Sequence, residues 1–366
     1  MRRFFGAVFI GLGALLLVAA GGLVLLVGPA VTKLPYNMQP CPPKGQAQPA
    51  GCLQPSVAEA TGATFLEIDK VGAHISTGDL RSTTEVIPQA KTTADEQGKN
   101  NLTDSSIVWD VYNTAARIDN GTVISASSTE LALDRATGAA VDWKGQWISE
   151  SQGSKDTSIS YKGEVYKFPF STEKKDYAYW DPDTRTAPTA KFSSVDTIEG
   201  VQTYHFIQTI ADTPLTVADS DLGALINTFA TTATSAQVIY SNTREVWVDP
   251  ATGSFIKVRE QPRKTLKPNV GATTTLLNAD FVYTTDTIKS SAQSAKDNGF
   301  QLSLVTLYLP IGCGVLGLVL LVGAFVMLKG RRPGQEGPDD GVGAPLPPPR
   351  HSLRGEAEDT SPARVG

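Results

Sequence analysis

The sequence is poor in the residues that build metal and redox centres. It holds three cysteines, three methionines and three histidines in 366 residues. No two histidines stand at helical spacing and no Cys-His cluster occurs, which excludes the common zinc sites. There is no G-x-S-x-G elbow and no glycine loop followed by a lysine, so the familiar hydrolase and nucleotide signatures are missing. Carboxylates are plentiful, but no pattern selects a catalytic pair. Basic residues are fewer than acidic ones, 32 against 37, which argues against a nucleic-acid partner. No cofactor is expected, and a hydrolase is the weakest of the functional readings.

Charge is also missing from two long stretches. Phe4 to Val27 and Leu302 to Leu328 contain none. At ~1.5 Å per residue each reaches past a ~30 Å hydrocarbon layer. Both read as transmembrane helices. The first has a second reading, a cleaved signal peptide, because Arg2 and Arg3 precede it and Gly28-Pro29-Ala30 follow. Its apolar length is about twice that of a typical signal core, which favours an uncleaved anchor. Arg2 and Arg3 flank one span, and Lys329, Arg331 and Arg332 flank the other. The positive-inside rule therefore expects both termini in the cytoplasm and the central region outside the plasma membrane.

Cys41 and Cys52 lie together in that exported region, within a Pro-rich stretch after the first span. An oxidising compartment allows them to form a disulfide, the alternative being two free thiols. Cys313 sits inside the second span. Together these features divide the chain into segments. Residues 1–30 form a stub and span, 31–62 a Pro-rich stalk, and 63–184 and 185–301 two β-rich portions. The second span covers 302–328, and a Pro/Gly-rich tail without fixed structure covers 329–366.

Within the exported region, β-rich runs alternate with turn residues, at Ile107–Tyr112, Thr122–Leu133, Glu164–Phe170, Val201–Ile210, Gln237–Val248 and Phe255–Glu260. This predicts antiparallel sheet. In Val201–Ile210 both faces carry apolar residues, so both are expected to be covered. Leu222, Leu225, Ile226 and Phe229 are spaced for one helix, read as packed on the sheet or as a mobile lid.

An internal repeat joins the two β portions. TVISASSTELALDRATG (Thr122–Gly138) and QVIYSNTREVWVDPATG (Gln237–Gly253) align without a gap at an offset of 115, with seven identities. Each ends in D-x-x-T-G: Asp134, Thr137, Gly138 and Asp249, Thr252, Gly253. The Asp carboxylate is suited to hold turn N–H groups, and Gly to supply a positive φ before the next strand. Two duplicated β halves are expected. Between them lies the densest aromatic stretch, with Phe168, Phe170, Tyr177, Tyr179 and Trp180. Those rings fit either a crossover buried between the halves or a groove for an envelope lipid or glycolipid.

The stretches FPFSTEKKDYAYWD (Phe168–Asp181), IEGVQTYHF (Ile198–Phe206) and VWVDPATG (Val246–Gly253) resemble the porin PorA family of actinobacteria, over about residues 1–330. The resemblance implies a pore and no catalytic residues. A membrane β-barrel would need apolar outward strand faces, which these polar runs lack. The two readings carried forward are lipid or glycolipid handling by a β-rich exported region and, as the alternative, a channel formed by an oligomer. Small residues Ala7, Gly11, Cys313 and Gly317 are expected to allow close packing of the spans.

Overall fold

The computed structural model describes residues 2–42, 49, 52–151 and 154–329. Residues 330–366, and with them nearly all of the expected tail, lie outside the described residues.

The fold is mainly antiparallel β, with two long apolar helices towards its ends. The helices are α1 (Arg2–Gly22), α2 (Gly28–Val31), α3 (Ala90–Gly98), α4 (Asp219–Phe229), α5 (Thr285–Ser303) and α6 (Leu309–Lys329). π-helical turns at Leu23–Val27 and Leu304–Tyr308 join α1 to α2 and α5 to α6. The first strands are β1 (Ser56–Asp69), β2 (Gly72–Pro88), β3 (Ser106–Arg117), β4 (Val123–Asp134), β5 (Ala140–Val141), β6 (Trp147–Ser151) and β7 (Ser154–Asp156). The remainder are β8 (Tyr177–Ala178), β9 (Thr189–Ile198), β10 (Val201–Leu215), β11 (Ala236–Val248), β12 (Phe255–Glu260), β13 (Arg263–Pro268), β14 (Thr274–Asn278) and β15 (Phe281–Tyr283).

All belong to one sheet, whose main path runs β7-β6-β4-β3-β2-β1-β14-β13-β11-β10-β9-β8; off it, β5 pairs with β4, and β15 with β1 and β12. β12 and β13 follow one another along the same edge of β11, broken at Gln261-Pro262. β4, the strand of the first repeat copy, is third among the first six in that order. β11, the strand of the second copy, is third among the last six.

The sheet does not leave β8 as an open edge. Ala140 donates its N–H to Gly163 O, Glu164 donates to Ala178 O, and Trp180 donates to Glu164 O, each at 2.8 Å. Residues 163–164 thereby stitch β5 to β8. Such closure removes unpaired edge groups that would otherwise invite aggregation. The expected strand at Glu164–Phe170 is therefore corrected: only Glu164 forms bridges, because the rest of that run turns inward with its rings.

The crossover fills the inside of the sheet. Tyr161, Val165 and Trp180 pack with Ile107, Val111, Leu131 and Leu133 of β3 and β4. Phe168, Tyr177 and Tyr179 pack with Phe206, Val246 and Val248 of β10 and β11. The opposite face of β10 is covered too, since Val201 packs with Ala292 and Ala295 of α5. α4 lies on the sheet, with Leu222, Leu225 and Phe229 against Val238, Leu266 and Leu276.

Two boundaries differ from the sequence reading. The second helical stretch starts at Thr285, not near 302, and runs unbroken to Lys329. Thr284 caps it by accepting the Thr287 N–H at 3.2 Å. Its polar first half is a sheet-packing helix, which apolar run length cannot reveal. The expected stalk, 31–62, ends sooner, because β1 begins at Ser56, and its described part before β1 is docked: Leu34 is buried and Arg135 lies 3.6 Å over the Tyr36 ring. Cys41 and Cys52 are disulfide-bonded with Cα atoms 4.9 Å apart, beside paired Pro40 and Leu53.

Candidate functional site

The repeat turns meet around the crossover. In the first, Asp134 Oδ1 accepts the N–H groups of Ala136 (2.9 Å) and Thr137 (2.8 Å) and the Thr137 hydroxyl (3.0 Å). In the second, Asp249 Oδ2 accepts the Thr252 N–H (3.1 Å) and hydroxyl (2.6 Å). Gly138 and Gly253 have φ of +79° and +74°. Burial alone would raise the Asp134 carboxyl, but the bonds from Thr137 and Ala136 outweigh it and hold the group below its ordinary value.

Both turns then grip one segment. Phe170 donates its N–H to Ala136 O (3.1 Å), while Phe168, Ser171 and Thr172 donate to Gly253 O (2.8 Å), Ala251 O (3.1 Å) and Pro250 O (2.8 Å). The approach is too close for a side chain. A Cβ on Gly253 would overlap the Phe168 carbonyl oxygen, and one on Gly138 would stand 2.5 Å from Lys167 Cγ. Of the six repeat-turn residues, Gly138 and Gly253 lie directly against the segment that starts the aromatic stretch, while Asp134, Thr137, Asp249 and Thr252 hold the turns that grip it.

Of the five aromatic candidates, Phe168, Tyr177, Tyr179 and Trp180 are buried, and Phe170 is half-buried beneath the Lys167 ammonium at 4.3 Å. Phe168 is the hub. Its ring centroid lies 4.8–5.7 Å from those of Phe206, Tyr177, Tyr179 and Phe255. These rings face one another and not solvent.

Two buried polar groups accompany the clamp and carry no sequence signature. Glu164 and Lys167 are both buried, and Glu164 Oε2 has no hydrogen-bond partner. Burial pushes the Glu164 carboxyl up to about 8, opposed by the positive charge of Lys167. Burial likewise brings the Lys167 amine down to about 8, opposed by Glu164 and Asp134. On the other side of the crossover, buried Arg244 donates to Gln208 Oε1 and Trp180 O, both at 3.0 Å, and to Glu260 at 2.6 Å. It lies 3.4 Å from Asp181, which also accepts the Tyr240 hydroxyl at 2.9 Å. Arg244 was readable in one respect: it falls in phase with Val246 and Val248 on a strand face that had to be buried.

The apolar helices pack against each other at glycine. A Cβ on Gly13 would stand 2.8 Å from Gly317 O, and one on Gly317 would stand 2.9 Å from Gly13 O. The contact uses Gly317 as expected but Gly13 instead of Gly11, whose Cβ direction is open. The face presented depends on the rotation of each helix, which small-residue spacing does not determine. No group of three or more His, Cys, Asp or Glu arranged to hold a metal occurs among the described residues.

The chain belongs to the Porin PorA family, whose family model matches residues 5–326. No curated protein matches it at a significant level.

Proposed function

We propose that this Porin PorA family member forms a channel in the cell envelope, with the conducting path lying between several copies of the chain. The observation that carries this reading is the Gly13–Gly317 contact, which brings the two helix backbones together with no room for a path between them at that level. The sheet supplies none either, because its interior is filled by the crossover rings. Among the described residues, its outer faces carry only a few exposed large apolar side chains, such as Tyr112 and Val195, and not the lipid-facing apolar band of a membrane barrel. Most of the helix surface remains open to neighbours: Leu25, Val319 and Val322 are among many exposed apolar side chains.

Lipid or glycolipid carriage gains less support. The aromatic candidates are packed together, and a surface concavity of about 430 Å³ is lined mainly by polar residues, Glu59, Thr61, Asp280, Thr284 and Thr285, beside Val282 and Tyr283.

The same proposal places both termini in the cytoplasm, from the basic flanks, and the sheet outside, from the disulfide. It also treats 63–184 and 185–301 as duplicated halves, since β4 and β11 hold the same rank in sheet order and end in turns of the same bonding. Its test is chemical cross-linking of full-length protein in lipid vesicles, followed by conductance of the cross-linked species. Conductance carried by oligomers and absent from monomers is expected; vesicles holding only monomers that conduct would refute it.

A further inference from the structure

Two acidic side chains stand opposite each other across β3 and β4. Asp110 is paired with Glu130, and Glu130 is paired on its other side with Trp147 of β6. The residues next to them, Trp109, Leu131 and Ile148, point into the sheet interior, so this row lies on the outer face. Like charges directly opposite destabilise a strand pair, so the arrangement calls for something that relieves them.

The donors around the two carboxyl groups are spoken for. Gln89 Nε2 donates to Asp110 Oδ2 at 2.8 Å, and Trp147 Nε1 donates to Glu130 Oε1 at 3.2 Å. Asp110 Oδ1 is buried and meets no donor, while Glu130 lies within hydrogen-bond reach of Asp110. Two residues along the same face, Val108 and Ala132 are fully buried with Leu102 and Trp143, which keeps water from that side of the pair.

Neighbouring charges do not cancel the pair. Lys155 of β7 holds its ammonium 3.7 Å over the Trp147 ring. Glu85 of β2, paired with Tyr112 on the same face, adds negative charge. On α3, Lys91 pairs with Asp95 and Lys99 with Glu96. Burial and then the nearness of Glu130 push the Asp110 carboxyl up to about 7, against the positive charge of Lys155. A proton between two carboxyl groups turns their repulsion into a charge-assisted hydrogen bond.

The pair sits where the β6–β7 hairpin joins the sheet. Among the described residues, three residue pairs join β6 to β4: Ser128–Ser149, Thr129–Ile148 and Glu130–Trp147. β7 reaches the sheet through β6, and Arg185 ties the far part of the hairpin through Glu150 (2.9 Å) and Asp156 (2.7 Å). The end at Trp147 therefore depends on Glu130.

We infer that Asp110 and Glu130 hold one proton between them, and that this proton latches the β6–β7 hairpin to β4. When the proton leaves to solvent, two charges oppose each other and the Glu130–Trp147 pair loosens. The closed pairing binds the proton more tightly than the open one, so the latch holds at low pH and weakens as pH rises through about 7. The inference is independent of conduction.

Its test is hydrogen exchange of full-length protein in nanodiscs, read by mass spectrometry and corrected for the intrinsic pH dependence of exchange. Exchange over residues 147–150 is expected to rise about tenfold from pH 6 to pH 8, the change that one proton bound near pH 7 confers. Asp110→Asn gives Glu130 a permanent donor and is expected to hold exchange at its low value throughout. Glu130→Gln, whose amide donates to Asp110 and still accepts from Trp147, makes the same test if the first variant does not fold. Glu164→Gln is expected to leave the tenfold change in place. Equal exchange at both pH values in the unaltered protein, or a tenfold change that survives in folded Asp110→Asn or Glu130→Gln, would overturn the inference. So would loss of the change in Glu164→Gln, or slow exchange restored at pH 8 by calcium, which would assign the pair to a divalent cation.

Discussion

Phe168 of the crossover is bound to Gly253 of the turn after β11: the Phe168 N–H donates to Gly253 O at 2.8 Å, and its own carbonyl oxygen occupies the space where a Gly253 side chain would go. Gly253→Ala therefore meets two penalties, a positive φ and a backbone overlap. A loss of about 3 kcal/mol or more is expected, the range reserved for strained, tightly packed backbone sites. Gly138→Ala should cost less, since its nearest atom, Lys167 Cγ at 2.5 Å, is a side-chain atom and the nearest backbone atom, Lys167 O, stands at 3.0 Å. Chemical denaturation of the purified protein in detergent, read by circular dichroism, checks both the size and the order.

The buried Glu164–Lys167 pair gives stability a pH dependence with a defined sign. The Glu164 carboxyl is raised from its ordinary value to about 8, so the folded state binds more protons than the unfolded state between about 4.5 and 8. Its contribution to stability falls as pH rises through that window. Lys167 is lowered from 10.5 to about 8, so its contribution rises with pH above about 8. Glu164→Gln should flatten the decline between pH 5 and 8 and raise stability at neutral pH. Unfolding midpoints measured at several pH values test this, and an unchanged slope would contradict it.

Arg244 lies between buried Asp181 and Glu260, with its guanidinium also bonded to Gln208 and the Trp180 carbonyl. Arg244→Met leaves the Asp181 charge without its cation. A loss of about 3–5 kcal/mol is expected, as for other buried pairs stripped of one partner. Adding Asp181→Asn should recover part of it, because the stranded charge is then gone. A double-mutant cycle from denaturation curves measures the coupling.

The helix pair offers a local test. Gly6 lies against Leu328, with a Cβ at Gly6 3.2 Å from Leu328 Cδ2. With Cys313 replaced by Ser, Gly6→Cys and Leu328→Cys should cross-link readily under oxidation. Gly317→Leu, which drives a side chain into the Gly13 carbonyl, should lower the cross-linked fraction several-fold. Equal cross-linking would mean that the glycine contact does not set the packing.

Much of this architecture was legible in local chemistry. The absence of charge marked both apolar helices, and alternation with turn residues marked an antiparallel sheet. Asp134 and Asp249 announced their turns because a carboxylate, a threonine and a glycine within five residues act locally. What the turns grip was hidden, since Phe168–Thr172 reaches them through backbone groups that no side-chain pattern reports. The start of α5 was hidden because Thr285–Ser303 packs through small residues such as Ala292 and Ala295, which give no hydrophobic run. Glu164 and Lys167 lie beside aromatic residues in the sequence, but burial of both depends on contacts made from distant strands.

Copies of the chain are proposed to conduct together. Single-channel recording of the full-length protein in planar bilayers tests it most directly, with insertion verified and protein density varied. Discrete conductance steps whose frequency rises more steeply than linearly with protein density are predicted. Verified insertion without any conductance, or steps that scale linearly from single copies, would contradict it.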